Sequence, residues 1–215
     1  MAGLKILACK MGKHEWQRVP VPDNKYEMWE CSVCKAKRYN MDQSSSGDNT
    51  AVAETPVIAT DELTGFMNKG GALDSIKTFL KTHKKENFTL CMCDIDSFRK
   101  LNETQGTECG DLVLKEVAQI IKNEVSGYGT PSRWGGDEFL LLFPSMNGDE
   151  VYNLLFTLRE KIKTRVLYYD GDGISVTMTF GLTEYDFSGN IDAFVAEAEE
   201  KLNLGKQMGG DQVIF

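Results

Sequence analysis

The chain has 215 residues, 41% hydrophobic and 26% charged, with a formal net charge of −8. That apolar content excludes disorder as the overall state. The length allows one domain of about 150 residues plus a small appendage, and no run approaches the ~20 apolar residues that span a bilayer. The charge is split: residues 1–40 carry +4, which leaves −12 for residues 41–215. Opposite charges suggest two modules, and the acidic one lacks the basic face that nucleic acid requires.

Residues 1–9 are mildly apolar but too short for a signal peptide, so a soluble, cytoplasmic protein with no membrane partner is expected. In such a compartment a Cys-x-x-Cys pair binds metal or does redox chemistry rather than forming a structural disulfide. Cys9-x4-His14 and Cys31-x2-Cys34 supply four donors in two pairs, and zinc favours a tetrahedral Cys₃His set. A segment this small holds little core, so a structural Zn²⁺ is a physically sensible staple. Residues 1–40 therefore read as a zinc-binding module, and they resemble a zinc ribbon or rubredoxin-like site. Its +4 charge permits a protein or nucleic-acid partner without requiring one.

Residues 42–50 are polar, small and aperiodic, and with a loose continuation to Pro56 they make residues 41–56 read as a flexible linker. From there helices and strands alternate to the end, over residues 57–215. A helix is predicted over 70–84, with Leu73, Ile76, Phe79 and Leu80 on one face. A buried strand follows over 88–94, in which Cys91 and Cys93 behave as small hydrophobes. A second helix is predicted over 108–125. Arg133-Trp134-Gly135-Gly136 reads as a tight turn between short strands, leading into the apolar run 139–143. A third helix is predicted over 148–166, and a strand over 174–181 with Ile174, Val176, Met178 and Phe180 on one face. A last helix over 191–206 and a short strand over 213–215 complete an α/β (α+β) pattern. It predicts a central mixed sheet flanked by helices.

Two clusters carry chemistry. Asp94-Ile95-Asp96 ends a buried strand, where carboxylates are expensive unless they bind something and where open α/β sheets place ligands. Gly135-Gly136-Asp137-Glu138-Phe139 sits at a hairpin, where glycines admit a ligand close to backbone. If strand and hairpin are neighbours, Asp94 and Asp137 can converge on hard divalent cations. Two such ions suit an in-line phosphoryl or nucleotidyl displacement.

Together these motifs resemble the GGDEF family of diguanylate cyclases. Residues 61–69, Asp-Glu-Leu-Thr-Gly-Phe-Met-Asn-Lys, are similar to the family's opening segment. Residues 94–102 with Gly106, Gly110 and Asp111 are similar to its metal and guanine segment. Lys206-Gln-Met-Gly209 resembles its terminal Lys-x-x-Gly. The resemblance implies a palm-like nucleotide-cyclase fold and the condensation of two GTP into cyclic di-GMP with release of two pyrophosphates. It implies two Mg²⁺ per active site, and a homodimer, because each domain holds one GTP.

By the same resemblance, Asp94, the Ile95 carbonyl and Asp137 would ligate Mg²⁺. Asp137 would help deprotonate the 3′-hydroxyl, and Glu138 would support the metal site. Asn102 and Asp111 would read guanine. Ser97, Phe98 and Arg99 would offer backbone amides to phosphates, Lys206 a positive charge, and Gly135 and Gly136 room for the nucleotide. Some positions depart from the pattern. Thr107 replaces a usual His, Gly210-Asp211 a usual Arg-Asn, and Lys201-Leu202-Asn203 a usual Ala-Leu-Tyr. Ser126 and Gly129 stand where the family's product-inhibition site has Arg and Asp. These departures keep two alternatives open: a catalytically weak or inactive GTP-binding regulatory domain, and a related cyclase using another nucleotide.

Overall fold

The computed structural model describes residues 16–19, 26–32, 37–41, 60–82, 86–185 and 190–215. The chain divides into two compact units, residues 1–55 and 56–215. In the first, β1 (Trp16–Val19), β2 (Tyr26–Cys31) and β3 (Lys37–Met41) form an antiparallel sheet in that order, with Trp16 opposite Cys31. Cys31 thus closes a strand. Cys9, His14 and Cys34 lie outside the described residues, as does the linker beyond Met41.

The second unit runs β4 (Met67–Asn68), α1 (Lys69–Thr82), β5 (Phe88–Ile95), α2 (Phe98–Gln105), α3 (Thr107–Val125), β6 (Thr130–Gly135) and β7 (Glu138–Pro144). It continues with α4 (Gly148–Lys163), β8 (Leu167–Tyr169), β9 (Asp172–Ile174), β10 (Met178–Glu184), α5 (Ile191–Gln207) and β11 (Val213–Ile214). Six strands form one sheet in the order β11-β10-β5-β7-β6-β4. Its two edge pairs, β10 with β11 and β4 with β6, are parallel, and the pairs between them are antiparallel, so the sheet is mixed.

Strand alternation sorts the core into two layers. Cys91, Cys93, Ile95, Phe139, Leu141, Phe143, Met178 and Phe180 point to the side covered by α3 and α4. Phe88, Leu90, Met92, Leu140 and Leu142 point to the side covered by α1 and α5. Because β5 is covered on both faces, Leu90–Cys93 is continuously apolar, which is why it reads as a buried run rather than an alternating one. Cys91, Cys93 and Cys109 are free and buried, and burial pushes the Cys93 thiol well above its ordinary range.

Three expectations change. The helix predicted over 148–166 stops at Lys163, where the Thr164 N–H donates to the Glu160 carbonyl and the Arg165 N–H to the Ile162 carbonyl. Its start is fixed by a capping box, in which Asn147 accepts from the Glu150 N–H and Glu150 reaches back to Asn147. The strand predicted over 174–181 is two: β9 ends at Ile174, and β10 begins at Met178 and continues to Glu184. Gly181 therefore lies inside β10 rather than at its end. There α5 crosses so closely that a Cβ would come within 2.2 Å of the Leu202 nitrogen. Helix α2 has no counterpart among the predicted elements. Only Phe98 of it is buried, so it shows little apolar periodicity.

Candidate active site

Strand β5 delivers Asp94 to the sheet's rim, directly opposite Glu138 on β7 and Thr179 on β10. The two-residue turn between β6 and β7 carries Gly136 and Asp137. Gly136 takes a positive φ of 21°, and a Cβ on Gly135 would stand 3.4 Å from Glu138 Oε2. Asp94, Asp137 and Glu138 are close enough to act on one another. Burial raises the Asp94 pKa most, Lys206 opposes this, and Asp137 and Glu138 raise it further, so that it is pushed up to about 6. Ile95 buries its side chain in the core, which leaves only its backbone for a site.

Lys206, on the last turn of α5, pairs with Asp94 Oδ1 and lies 2.9 Å from Asp96 Oδ1. Burial works against its charge, and the two carboxylates outweigh burial and hold the ammonium above its ordinary pKa. Asp96 turns inward. It accepts hydrogen bonds from Thr177 Oγ1 and Thr179 Oγ1, each at 2.7 Å, and from the Asp211 N–H at 2.8 Å. Burial would raise its pKa, but these bonds and Lys206 hold it below the usual carboxylate range. So of the two aspartates in the motif, Asp94 faces the rim and Asp96 braces it.

The rim's donor chemistry fits Mg²⁺, which takes carboxylate oxygens. Asp94 is held against burial and two neighbouring acids, an electrostatic debt that a cation relieves. Among the described residues, no group of three or more His, Cys, Asp or Glu side chains already stands in metal-holding geometry. At Asp94 the counter-charge comes from Lys206.

Beyond the rim the chain bends at Ser97, φ 57°, into α2. The first N–H groups of a helix lack intrahelical acceptors, and in α2 these include those of Phe98 and Arg99. The Phe98 ring is buried, and the exposed Arg99 side chain pairs with Glu103 at 2.9 Å. Gly106, φ 86°, joins α2 to α3. Asn102 lies against Gly110, whose missing Cβ would stand 1.9 Å from Asn102 Oδ1. That oxygen is buried without a hydrogen-bond partner. Asp111 is exposed on α3, one residue beyond this contact.

Sequence reasoning did not assign a role to Asp61 or Arg133. Arg133 Nη1 reaches both Asp61 oxygens, at 3.1 and 3.0 Å, while its Nε donates to the Gly136 carbonyl at 2.9 Å. Asp61 also accepts from the Thr64 N–H and hydroxyl. Burial raises the Asp61 pKa, and these bonds more than reverse it. The pair fastens the opening segment to the acidic hairpin. The spacing of 72 residues hid it.

Two of the departures, Gly210 and Gly129, sit where a side chain would be crowded. Gly210, φ 77°, approaches Asp96 so closely that a Cβ would lie 2.9 Å from its carboxyl carbon. A Cβ on Gly129 would meet Phe143 at 2.6 Å and the Leu142 carbonyl at 2.7 Å. Position 129 therefore has no room for an aspartate.

Comparison with known proteins agrees with this geometry. The chain is 34% identical over 131 residues to diguanylate cyclase A of Treponema denticola, covering 60% of this chain and 35% of that protein. It is 27% identical over 156 residues to diguanylate cyclase DgcP of Pseudomonas aeruginosa, covering 72% and 23%. It thus spans well under two thirds of these relatives. Among solved structures, the GGDEF domain of DgcB from Caulobacter crescentus, in complex with c-di-GMP, superposes with a TM-score of 0.70 at 25% identity. That likeness covers 73% of this chain and 94% of that one, so the mixed sheet flanked by helices is the palm-like fold of GGDEF domains. Residues 58–212 match the family described as diguanylate cyclase, GGDEF domain, and the chain belongs to that family.

Proposed function

We propose that this protein condenses two GTP molecules into cyclic di-GMP and releases two pyrophosphates, at the interface of two such domains. The observation that carries the reading is the Asp94–Glu138 register beside the Asp137 turn, with Lys206 on the same rim. Asp94, Asp137 and the Ile95 carbonyl hold Mg²⁺, two ions per site, with Glu138 supporting them. When bound, the ions supply charge stabilisation at the reacting phosphate oxygens.

The chain's own groups do the rest. Asn102 and Asp111 bind the guanine edge, and the unpaired Asn102 Oδ1 supports this assignment. Amides at Ser97, Phe98 and Arg99 and the Lys206 ammonium hold the β- and γ-phosphates. Gly135 and Gly136 let the nucleotide lie against backbone. Asp137 takes the proton of the 3′-hydroxyl. That oxygen forms a bond to the α-phosphorus of the facing GTP while the bond to pyrophosphate breaks. The same exchange in the opposite direction closes the ring. A single domain holds one GTP, so a homodimer is required.

A GTP-consuming reaction suits a cytoplasmic location. Among the described residues no helix is long and apolar enough to cross a membrane. For the first unit we propose structural Zn²⁺ on Cys9, His14, Cys31 and Cys34, supported by their spacing. Cys31 ends β2.

The test is incubation of pure protein with Mg²⁺ and GTP or ATP, followed by product identification. Cyclic di-GMP from GTP alone, lost in Asp137→Ala, is expected. Nucleotide binding without turnover would favour the regulatory alternative. Metal analysis should find about one zinc per chain, released in the Cys31→Ser, Cys34→Ser double variant. Zinc-free protein prepared without chelator would refute the zinc site.

A further inference from the structure

We propose that Asp211 is a positioning residue for this reaction: it pins the turn after α5 between α4 and Asp96, and so holds Lys206 where it meets the triphosphate. The proposal rests on the reading of Lys206 as a triphosphate ligand.

The turn is conformationally costly. Gly209, Gly210 and Asp211 have φ of 109°, 77° and 52° in succession. Two glycines accept this freely, and aspartate is among the few side chains that tolerate it. The turn also ends α5, because the Gly209 N–H donates to the Lys206 carbonyl at 3.1 Å and the Gly210 N–H to the Gly205 carbonyl at 3.0 Å. Whatever sets the turn therefore sets the helical turn that carries Lys206.

Asp211 is held through its carbonyl, its N–H and its carboxylate, with Oδ1 in an ion pair but without a hydrogen bond. Arg159 Nη1 donates to its carbonyl at 2.7 Å and pairs with its Oδ1 at 2.8 Å. Lys163 Nζ donates to its Oδ2 at 2.6 Å. Its N–H donates to Asp96 Oδ2 at 2.8 Å. Arg159 is itself mostly buried and lies over the Phe156 ring, 5.0 Å from the centroid, so it offers a rigid fork rather than a mobile surface charge. Partly buried pairs of this kind are screened less than exposed ones. Asp96 passes the constraint on, since it binds Lys206 and both β10-side threonines through its two oxygens. The path from α4 to the rim is thus Arg159 and Lys163, Asp211, Asp96, Lys206, Asp94. Each step is a direct polar contact.

The experiment compares binding of 3′-deoxy-GTP, which has no attacking hydroxyl, with binding of GMP, which lacks the β- and γ-phosphates. It uses the full chain, with thermal midpoints in parallel. Asp211→Ala is expected to weaken 3′-deoxy-GTP binding about tenfold, the scale of one charge-assisted contact, and to leave GMP binding unchanged. Lys206→Met should give the same selective loss, and the double variant no further loss. Asp211→Asn keeps the tolerance for positive φ and removes only the charge. Arg159→Met loosens the turn from the other side. Both should move in the same direction by less, which keeps the test alive if Asp211→Ala does not fold.

Equal losses for both ligands, no loss for either, or losses that multiply in the double variant would each overturn the assignment. So would wild-type protein with no preference for the triphosphate. Wild-type protein that shows the selective losses yet makes no cyclic di-GMP would leave Asp211 in this role and refute the cyclase reading.

Discussion

Asp94 faces Glu138 across the β5–β7 pair, and Lys206 closes on Asp94 from the helix above. A partly buried carboxylate is thereby set between a second acid and an ammonium. The rim has a built-in sensitivity to protons and to cations.

The pH dependence follows from Asp94. Its pKa of about 6 lies above the ordinary value of 3.8. Binding a cation requires the ionised form, so Mg²⁺ affinity should fall as pH drops below about 6. The limiting slope is roughly tenfold per pH unit for one proton displaced. In metal-free protein the sign for stability is the reverse. The folded state holds the Asp94 proton more tightly than the unfolded chain, so this group's contribution declines as pH rises from the ordinary value through about 6. Mg²⁺ titrations and urea unfolding over that window check both signs. A flat metal affinity would contradict the first.

Gly110→Ala should strike guanine binding. The added methyl would stand 1.9 Å from Asn102 Oδ1 and 3.1 Å from the Phe98 ring, so the Asn102 side chain must leave its place. The loss of an oriented hydrogen-bonding group at the base costs about 1–3 kcal/mol. KM for GTP should rise accordingly, with Mg²⁺ affinity nearly unchanged. Steady-state kinetics with varied GTP and varied metal separate the two.

Arg133→Met should loosen the hairpin from the opening segment. It removes the fork on Asp61 and the bonds to the Gly136 carbonyl. Loss of hydrogen bonds to a partly buried charged group costs about 1.5–3 kcal/mol. Asp61 has a folded pKa below its ordinary value. Its contribution is present at neutral pH and is lost as pH falls from about 4 through that lowered pKa. The variant should lose this acid limb of the stability curve. A destabilisation that is equal at pH 3 and pH 7 would argue that Asp61 is not the partner that matters.

Product feedback through the family's usual inhibitory position should be weak. Ser126 and Gly129 bring no charge there, and Phe143 fills the space a side chain at 129 would need. Gly129→Asp should therefore destabilise by about 1–3 kcal/mol, as overpacking does, without restoring inhibition. Initial rates at saturating GTP with added cyclic di-GMP test this. Strong non-competitive inhibition of the wild type would mean that another surface performs the feedback.

Much of the second unit was legible in the residue order. The 3.6-residue periodicity marks α1, α3 and α5, and the apolar run marks β5, because both patterns report burial directly. The acidic hairpin and the strand-end aspartates are local motifs whose chemistry is visible in a few consecutive residues. What escaped was non-local or weakly patterned. Helix α2 buries a single side chain and so leaves no stripe. The break at 175–177 separates two strands whose residues alternate as one.

Residue order by itself determined the hydrophobic layers and the identity of the acidic groups, since these depend on composition and short-range spacing. Only the tertiary structure decided what each charge does. It turns Asp96 inward onto Thr177, Thr179 and the Asp211 amide, and it spans 72 residues to join Arg133 to Asp61. It also brings Lys206 down beside Asp94 by letting α5 cross β10 at Gly181. Electrostatic roles are set by distance and burial, and for partners so far apart in sequence the folded chain alone sets those distances.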